Sequence, residues 1–247
     1  MKIKKALKKI GLFILPRGSG PYNWLYYHFY WKPEGEIGRY IQNYSKEKGK
    51  GKMTFVQVGA NDGVTGDNIF WFIKYHKWSG VLIEPIVYLF EKLKTTYKNF
   101  DNQLFFENVA ISEKDERREF YYIEDFKKNE QHPEWLKQLG SFKREQVDWV
   151  EKSYPGLHMK IEKINCVKLT SLVAKYNYYN LDFLYIDVEG YDFEIIKSID
   201  FSIFKPSLIY YEHRHLSDED KENSEKFLAE RGYDIIAGEF DNLAIAK

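Results

Sequence analysis

Four segments carry residues whose types and spacing could do chemistry. Asp187-Val188-Glu189-Gly190-Tyr191-Asp192 places three carboxylates within six residues, and Glu212-His213-Arg214-His215 follows an apolar run. Glu84-Pro85 follows another, and Gly59-Ala60-Asn61-Asp62-Gly63, with Gly66 beyond it, is rich in glycine. Carboxylates this close together are costly to ionise unless a cation, a hydroxyl-bearing ligand or water faces them. Asp187 is therefore read as a site residue. Glu189 either faces the same ligand or serves as a cap, and Asp192 reads as a first-turn helix residue favoured by the dipole. His213 is the candidate base for a hydroxyl proton. In extended structure His213 and His215 would share one side and Glu212 the other. An H-x-H pair alone is too little to assign a metal, and none is assigned.

The elements that must position these groups follow from pattern. Thr54 to Val58 predicts a buried strand running into the glycine turn, after which Asp67 can cap a helix carrying Ile69, Phe70, Phe72 and Ile73. The glycines fall as G-x-x-x-G-x-x-G, which is neither the dinucleotide fingerprint nor a phosphate loop. Gly80 to Ile83 predicts a second strand ending at Glu84, where a carboxylate can accept hydrogen bonds from both hydroxyls of a ribose. A nucleoside without a pyrophosphate suits both features, and S-adenosylmethionine is the commonest such cofactor.

FVQVGANDG at Phe55 to Gly63, GVLIEP at Gly80 to Pro85, NVAIS at Asn108 to Ser112, LTSL at Leu169 to Leu172 and FLYIDVEGYDFEII at Phe183 to Ile196 together resemble the FkbM-type family of S-adenosylmethionine-dependent methyltransferases. The resemblance covers about residues 53–215. It implies an α/β, Rossmann-like methyltransferase fold: a mostly parallel seven-stranded sheet, a C-terminal antiparallel hairpin, helices on both faces, and a cofactor pocket at the C-terminal strand ends. Carried over by residue, Gly59, Ala60 and Gly63 would let the cofactor approach the backbone, Asn61 would meet its amino-acid end, Glu84 its ribose and Asn108 its adenine. Gln57, Pro85 and Ala110 complete the implied pocket. Many members carry Asp where Gln57 stands; Gln hydrogen-bonds but cannot neutralise a sulfonium.

The 247 residues suffice for one sizeable core. Lys+Arg and Asp+Glu both number 37, so no global field recruits nucleic acid. The single cysteine, Cys166, excludes an intrachain disulfide and is compatible with a reducing compartment. Residues 1–20 read as a basic amphipathic extension and linker. Ile3, Leu7, Ile10 and Ile14 form a stripe among lysines, which would lie in an anionic membrane interface or pack on the domain. Residues 21–247 read as the methyltransferase domain. Within it, Glu34 to Lys48 predicts a helix, and 124–165 is an irregular, lid-like insertion. Its pieces are a helix at Pro133 to Leu139 and a second helix with Ser141 as N-cap. The aromatic clusters Tyr22 to Trp31 and Tyr176 to Tyr179 are candidate stacking platforms for sugars.

The expected activity is methyl transfer to a hydroxyl of a sugar, glycan or glycolipid, with Asp187, Glu189 and His213 facing the acceptor. The expected location is cytoplasmic, with peripheral contact at the inner membrane face through residues 1–15. Two readings from other classes stand beside it: a non-catalytic, membrane-associated glycan-binding protein on the same fold, and a nucleotide-dependent oxidoreductase, which the glycine spacing disfavours.

Overall fold

Runs of four or five residues that are apolar on both faces form stable strands only where helices cover both sides. In the computed structural model, which describes residues 35–124 and 132–247, five parallel strands of this kind make the centre of a seven-stranded sheet. They are β1 (Thr54–Val58), β2 (Ser79–Ile83), β3 (Leu104–Glu107), β8 (Phe183–Ile186) and β9 (Leu208–Glu212). The hairpin β10 (Tyr233–Ala237) and β11 (Asp241–Ala246) closes the sheet, with β11 antiparallel to both β9 and β10. The order β10-β11-β9-β8-β1-β2-β3 puts β1 and β8 side by side at the centre, with Val58 opposite Ile186. The fold is α/β and Rossmann-like, as expected from the sequence.

Alternation along each strand divides the core between the two faces. Phe55, Leu82, Phe183, Tyr185 and Tyr210 face one side. There they meet Ile41 of α1 (Gly35–Lys48), Phe70 and Ile73 of α2 (Phe70–Tyr75), and Leu93 and Tyr97 of α3 (Val87–Tyr97). Val56, Val58, Leu184, Ile186 and Ile209 face the other side. That face is covered by α5 (Leu169–Tyr176), α6 (Asp192–Lys197) and α7 (Asp218–Ala229). Ser217 caps α7, accepting from the Asp220 N–H at 3.1 Å.

The stretch 124–165, expected to be irregular, contributes β6 (Gly140–Ser141) and most of β7 (Met159–Val167) to a second sheet. With β4 (Ala110–Ile111) and β5 (Glu116–Ile123) they pair in the order β4-β7-β5-β6. β7 has mostly exposed side chains, and its apolar residues break alternation at Glu162-Lys163; its pairing with β5 over eight positions supplies the backbone hydrogen bonds that hold it. Ser141 does not cap a helix. It lies in β6, between short 3₁₀ segments at Glu134–Gln138 and Arg144–Gln146, and the second of these leads to the short α4 (Trp149–Ser153). Ile123, Leu136, Val147 and Val150 give this flap its own small core. The basic helix, the linker and the Tyr22 to Trp31 cluster lie outside the described residues. Among the described residues no helix is long and apolar enough to cross a membrane.

The two central strands are clamped at their N-terminal ends by Asp182, a buried carboxylate. Its Oδ2 accepts from the Thr54 N–H at 2.8 Å and the Thr54 hydroxyl at 3.1 Å, and Lys48 pairs with its Oδ1 at 2.7 Å. Asp182→Ala leaves the Thr54 donors without their acceptor and should lower stability by roughly 1–3 kcal/mol. Urea unfolding would read this directly; a loss within error would mean that the clamp does not hold the strands.

Candidate active site

Parallel strands deliver their C-terminal ends to one edge, and here that edge opens into a cavity of about 600 Å³. β1 and its loop contribute Gln57, Gly59, Ala60 and Asn61; β8 and its loop contribute Asp187 and Glu189; β9 and its turn contribute Glu212, Arg214 and His215. The flap closes the far side with Trp135, Gln138 and Trp149. A narrow slot of about 40 Å³ adjoins the cavity past Gly59 and Asn61. Its walls are Pro85, Val109, Ala110, Ile111, Phe120 and Phe142, and Glu84 stands in it.

Gly59 brings the two central loops together. It adopts φ +84°, and a Cβ placed on it would lie 1.8 Å from the Asp187 carbonyl oxygen. Glu84 is buried at the next strand end, where its Oε2 accepts from the Asn61 N–H at 2.9 Å and its Oε1 from the Ile86 N–H at 2.8 Å. Asp67 is buried too, accepting from the Ile69 and Phe70 N–H groups and from Gln57 Nε2 at 3.1 Å. That leaves Gln57 Oε1 buried and, among the described residues, without a hydrogen-bond partner. The Tyr185 hydroxyl donates to Asp187 Oδ2 at 3.0 Å. Glu189 has φ +53°, a left-handed backbone that is strained for a residue with a long side chain.

Burial dominates the electrostatics. It pushes the Glu84 carboxyl up to about 7 against the pull of its two backbone donors, and Asp67 up to about 6. Burial, then the charge of Asp241, raises Asp187 to about 6; burial, then the charge of Asp187, raises Glu189 to about 8. Glu212 is raised by burial and by the carboxylates of Asp187, Asp192 and Glu189, while burial and then Arg214 lower the His215 imidazole. The edge is thus short of positive charge.

The sequence-predicted residues divide into several groups. Gln57, Gly59, Ala60, Asn61, Asp187 and Glu189 line the main cavity, and Glu84, Pro85 and Ala110 line the slot. Gly63 is needed for packing, since a Cβ there would strike Tyr97 and Leu93 at 2.5 and 2.6 Å. Asn108 turns its amide nitrogen to the carbonyls of Glu84 and Pro85 at 2.9 and 3.0 Å, bracing the β2 turn, while Val109, Ala110 and Ile111 face the slot. His213 is not in the cavity lining: its N–H donates to the Phe240 carbonyl and its Nε2 lies 3.3 Å from the Gly238 carbonyl. β9 ends at Glu212 and the chain turns, so strand alternation no longer holds. His215 and Glu212, expected on opposite sides, therefore approach to 3.8 Å. Trp135, Gln138 and Trp149 were not named as site residues: they belong to the stretch read as lid-like, but no local pattern tells which of its side chains face this edge.

The donor set suits an adenosyl sulfonium cofactor. The apolar slot offers faces for a flat base, Glu84 beside it offers a carboxylate for ribose hydroxyls, the unpartnered Gln57 Oε1 can accept from an ammonium, and the carboxylates compensate a cation.

The raised carboxyls also set how stability depends on pH. Asp67 and Glu84 ionise more readily in the unfolded chain, near 3.8 and 4.5, than in the fold, near 6 and 7. The unfolded state therefore binds fewer protons in that window, and stability should fall as pH rises from about 4 to 7, then level off for these groups. Glu84 alone would contribute a fall of roughly 3 kcal/mol. Denaturant unfolding of the ligand-free protein at pH 5 and pH 8, with Glu84→Gln flattening the slope, checks this. Stability rising across that interval would contradict it.

Comparison with solved structures places the chain near an O-methyltransferase from Bacillus cereus in complex with S-adenosylhomocysteine: TM-score 0.44, 9% identity, 98% of this chain and 90% of that one covered. The S-adenosylhomocysteine-bound Podospora anserina methyltransferase PaMTH1 gives TM-score 0.43 and 9% identity, covering 100% and 96%. A fibrillarin pre-rRNA processing protein of Methanococcus jannaschii gives TM-score 0.42 and 13% identity, covering 80% and 69%. No curated protein matches in sequence. A family model of the methyltransferase FkbM domain matches residues 57–235, most of the chain, and the protein accordingly belongs to the FkbM family of S-adenosylmethionine-dependent methyltransferases.

Proposed function

We propose that the chain methylates a hydroxyl of a sugar, free or within a glycan or glycolipid. The observation that carries this reading is the pair Trp135 and Trp149, which remain 46% and 36% exposed at the cavity although both are large and apolar. Their rings stack with centroids 6.2 Å apart and planes 29° from parallel. A sugar ring has apolar C–H faces that suit the negative face of an aromatic ring and hydroxyl edges that suit carboxylates. The cavity offers both, with the tryptophans on its flap and Asp187, Glu189 and Glu212 at the strand ends.

The bound cofactor supplies a methyl group on a positively charged sulfur, reactive toward a nucleophile without further activation. The protein's part is to align the acceptor, exclude water and take the proton. Glu84 holds the ribose hydroxyls, and Gln57 Oε1 accepts from the amino-acid end. Asp187 receives the acceptor proton as the new oxygen–carbon bond forms; with its carboxyl near 6, it is ionised at neutral pH yet basic enough to assist. Glu189 and Glu212 orient the remaining hydroxyls, and His215 rather than His213 faces the acceptor. The zero net charge favours a small or glycan acceptor over nucleic acid. The lysine-rich stripe of residues 1–15 would bring the enzyme to glycolipids at an anionic membrane surface.

Methyl transfer to a panel of sugars, read by mass spectrometry, tests this reading. Trp135→Ala and Trp149→Ala should each raise KM for the acceptor about tenfold or more, with kcat and S-adenosylmethionine affinity little changed. A sugar-independent acceptor, or an unmoved KM, would sink it. In a separate calorimetric titration, Glu84→Ala should weaken S-adenosylmethionine binding by roughly 1–3 kcal/mol, the scale for losing charged hydrogen bonds. Unchanged affinity would remove Glu84 from the cofactor site.

A further inference from the structure

We infer that Glu189, Glu212 and His215 form a binding site for one divalent cation of the Mn²⁺ class, on the acceptor side of the cavity. The three side chains come from the β8 loop, the last residue of β9 and the turn beyond it. One ligand atom from each lies within 4.8 Å of the other two. His215 Nε2 stands 3.4 Å from Glu189 Oε2 and 3.8 Å from Glu212 Oε1. Atoms bound to one ion at about 2.1 Å are about 3 Å apart when adjacent and about 4 Å apart when opposite, so small side-chain shifts suffice to close this set on an ion.

A second observation points to a ligand there. Glu212 Oε2 is buried and, among the described residues, has no hydrogen-bond partner. Buried carboxylate oxygens are ordinarily satisfied, and an orphaned one costs free energy until something fills its place. Among the described residues lining the cavity, Arg214 is the cation that faces these carboxylates, and its guanidinium also lies 4.8 Å over the Phe240 ring. The approach of the two loops is built in. A Cβ on Gly190 would lie 3.0 Å from the His215 carbonyl oxygen and 3.4 Å from its Cβ, so a side chain there would crowd the His215 backbone.

Two carboxylates and one imidazole suit a cation of intermediate hardness, and three protein ligands leave positions open to oxygen atoms from the cavity. The cation site itself stands without the methyl-transfer assignment. Its use, to hold and acidify an acceptor hydroxyl, rests on that assignment.

Titration of the metal-free full-length chain with MnCl₂, followed by loss of the free-ion paramagnetic resonance signal, tests the site without cofactor or acceptor. The expected result is one saturable Mn²⁺ per chain and at least tenfold weaker binding by both Glu212→Gln and His215→Ala. In the wild type, pulsed resonance should detect coupling to a coordinated imidazole nitrogen. That readout keeps the test decisive if a variant misfolds. No saturable binding up to millimolar Mn²⁺, affinity unchanged in either folded variant, or no nitrogen coupling overturns the site. Calorimetric binding of S-adenosylmethionine in the presence of a chelator reports separately on the cofactor pocket, so failure of the cation site and failure of the methyltransferase reading remain distinguishable.

Discussion

The architecture of the pocket depends on one close approach, that of the Gly59 backbone to the carbonyl of Asp187. A side chain at Gly59 would need the space that this oxygen occupies, 1.8 Å from an ideal Cβ. Because β1 and β8 pair in parallel and end together, the contact seats the glycine loop directly against the carboxylate loop. Further consequences follow along the edge. The Gly59 and Ala60 N–H groups donate to the Ile83 carbonyl, the Asn61 N–H reaches Glu84, and Asp187 and Glu84 end up on one cavity system. A ligand approaching this edge meets backbone and carboxylates together.

The same edge is held against the interests of stability. Asp67, Glu84, Asp187, Glu189, Asp192 and Glu212 are all pushed above the ordinary carboxylate range, with burial as the leading cause in each. The left-handed backbone of Glu189 adds strain, roughly 1–2 kcal/mol for a residue with a side chain. Such groups persist where the rest of the fold over-determines them, and they are characteristic of sites awaiting a charged ligand. Here the surplus comes from the two cores on either face of the sheet, where Trp78, Tyr185, Tyr211 and Phe55 are almost wholly buried.

The flap is tied to this edge at several points. Gln138 Nε2 donates to the Thr65 carbonyl at 3.3 Å, joining it to the glycine loop, and the Ser141 hydroxyl donates to the Glu189 carbonyl at 3.0 Å, joining it to the carboxylate loop. The Tyr88 hydroxyl reaches from α3 to the carbonyls of Ile123 and Lys137. Arg118 on β5 donates to the Tyr191 hydroxyl at 2.7 Å while lying over the Phe142 ring. A second sheet with its own core, fastened on both sides of the cavity, holds Trp135 and Trp149 as a defined wall.

The sequence by itself determined the sheet and half of the site. Strands such as Thr54–Val58 and Phe183–Ile186 are short, apolar on both faces and bounded by glycine or acidic residues, and that local pattern marks both their extent and the groups at their ends. Gly59, Glu84 and Asp187 were legible for this reason. The rest belongs to tertiary structure. β7 is a strand because β5 pairs with it, although most of its side chains are exposed. His215 enters the cavity and His213 leaves it because the chain turns after Glu212, where alternation stops predicting direction. Asn108 and Gly63 serve the surrounding packing because Pro85, Leu93 and Tyr97 reach them from distant positions. Local periodicity encodes which face a residue takes within an element; only the packing of elements decides which side chains meet.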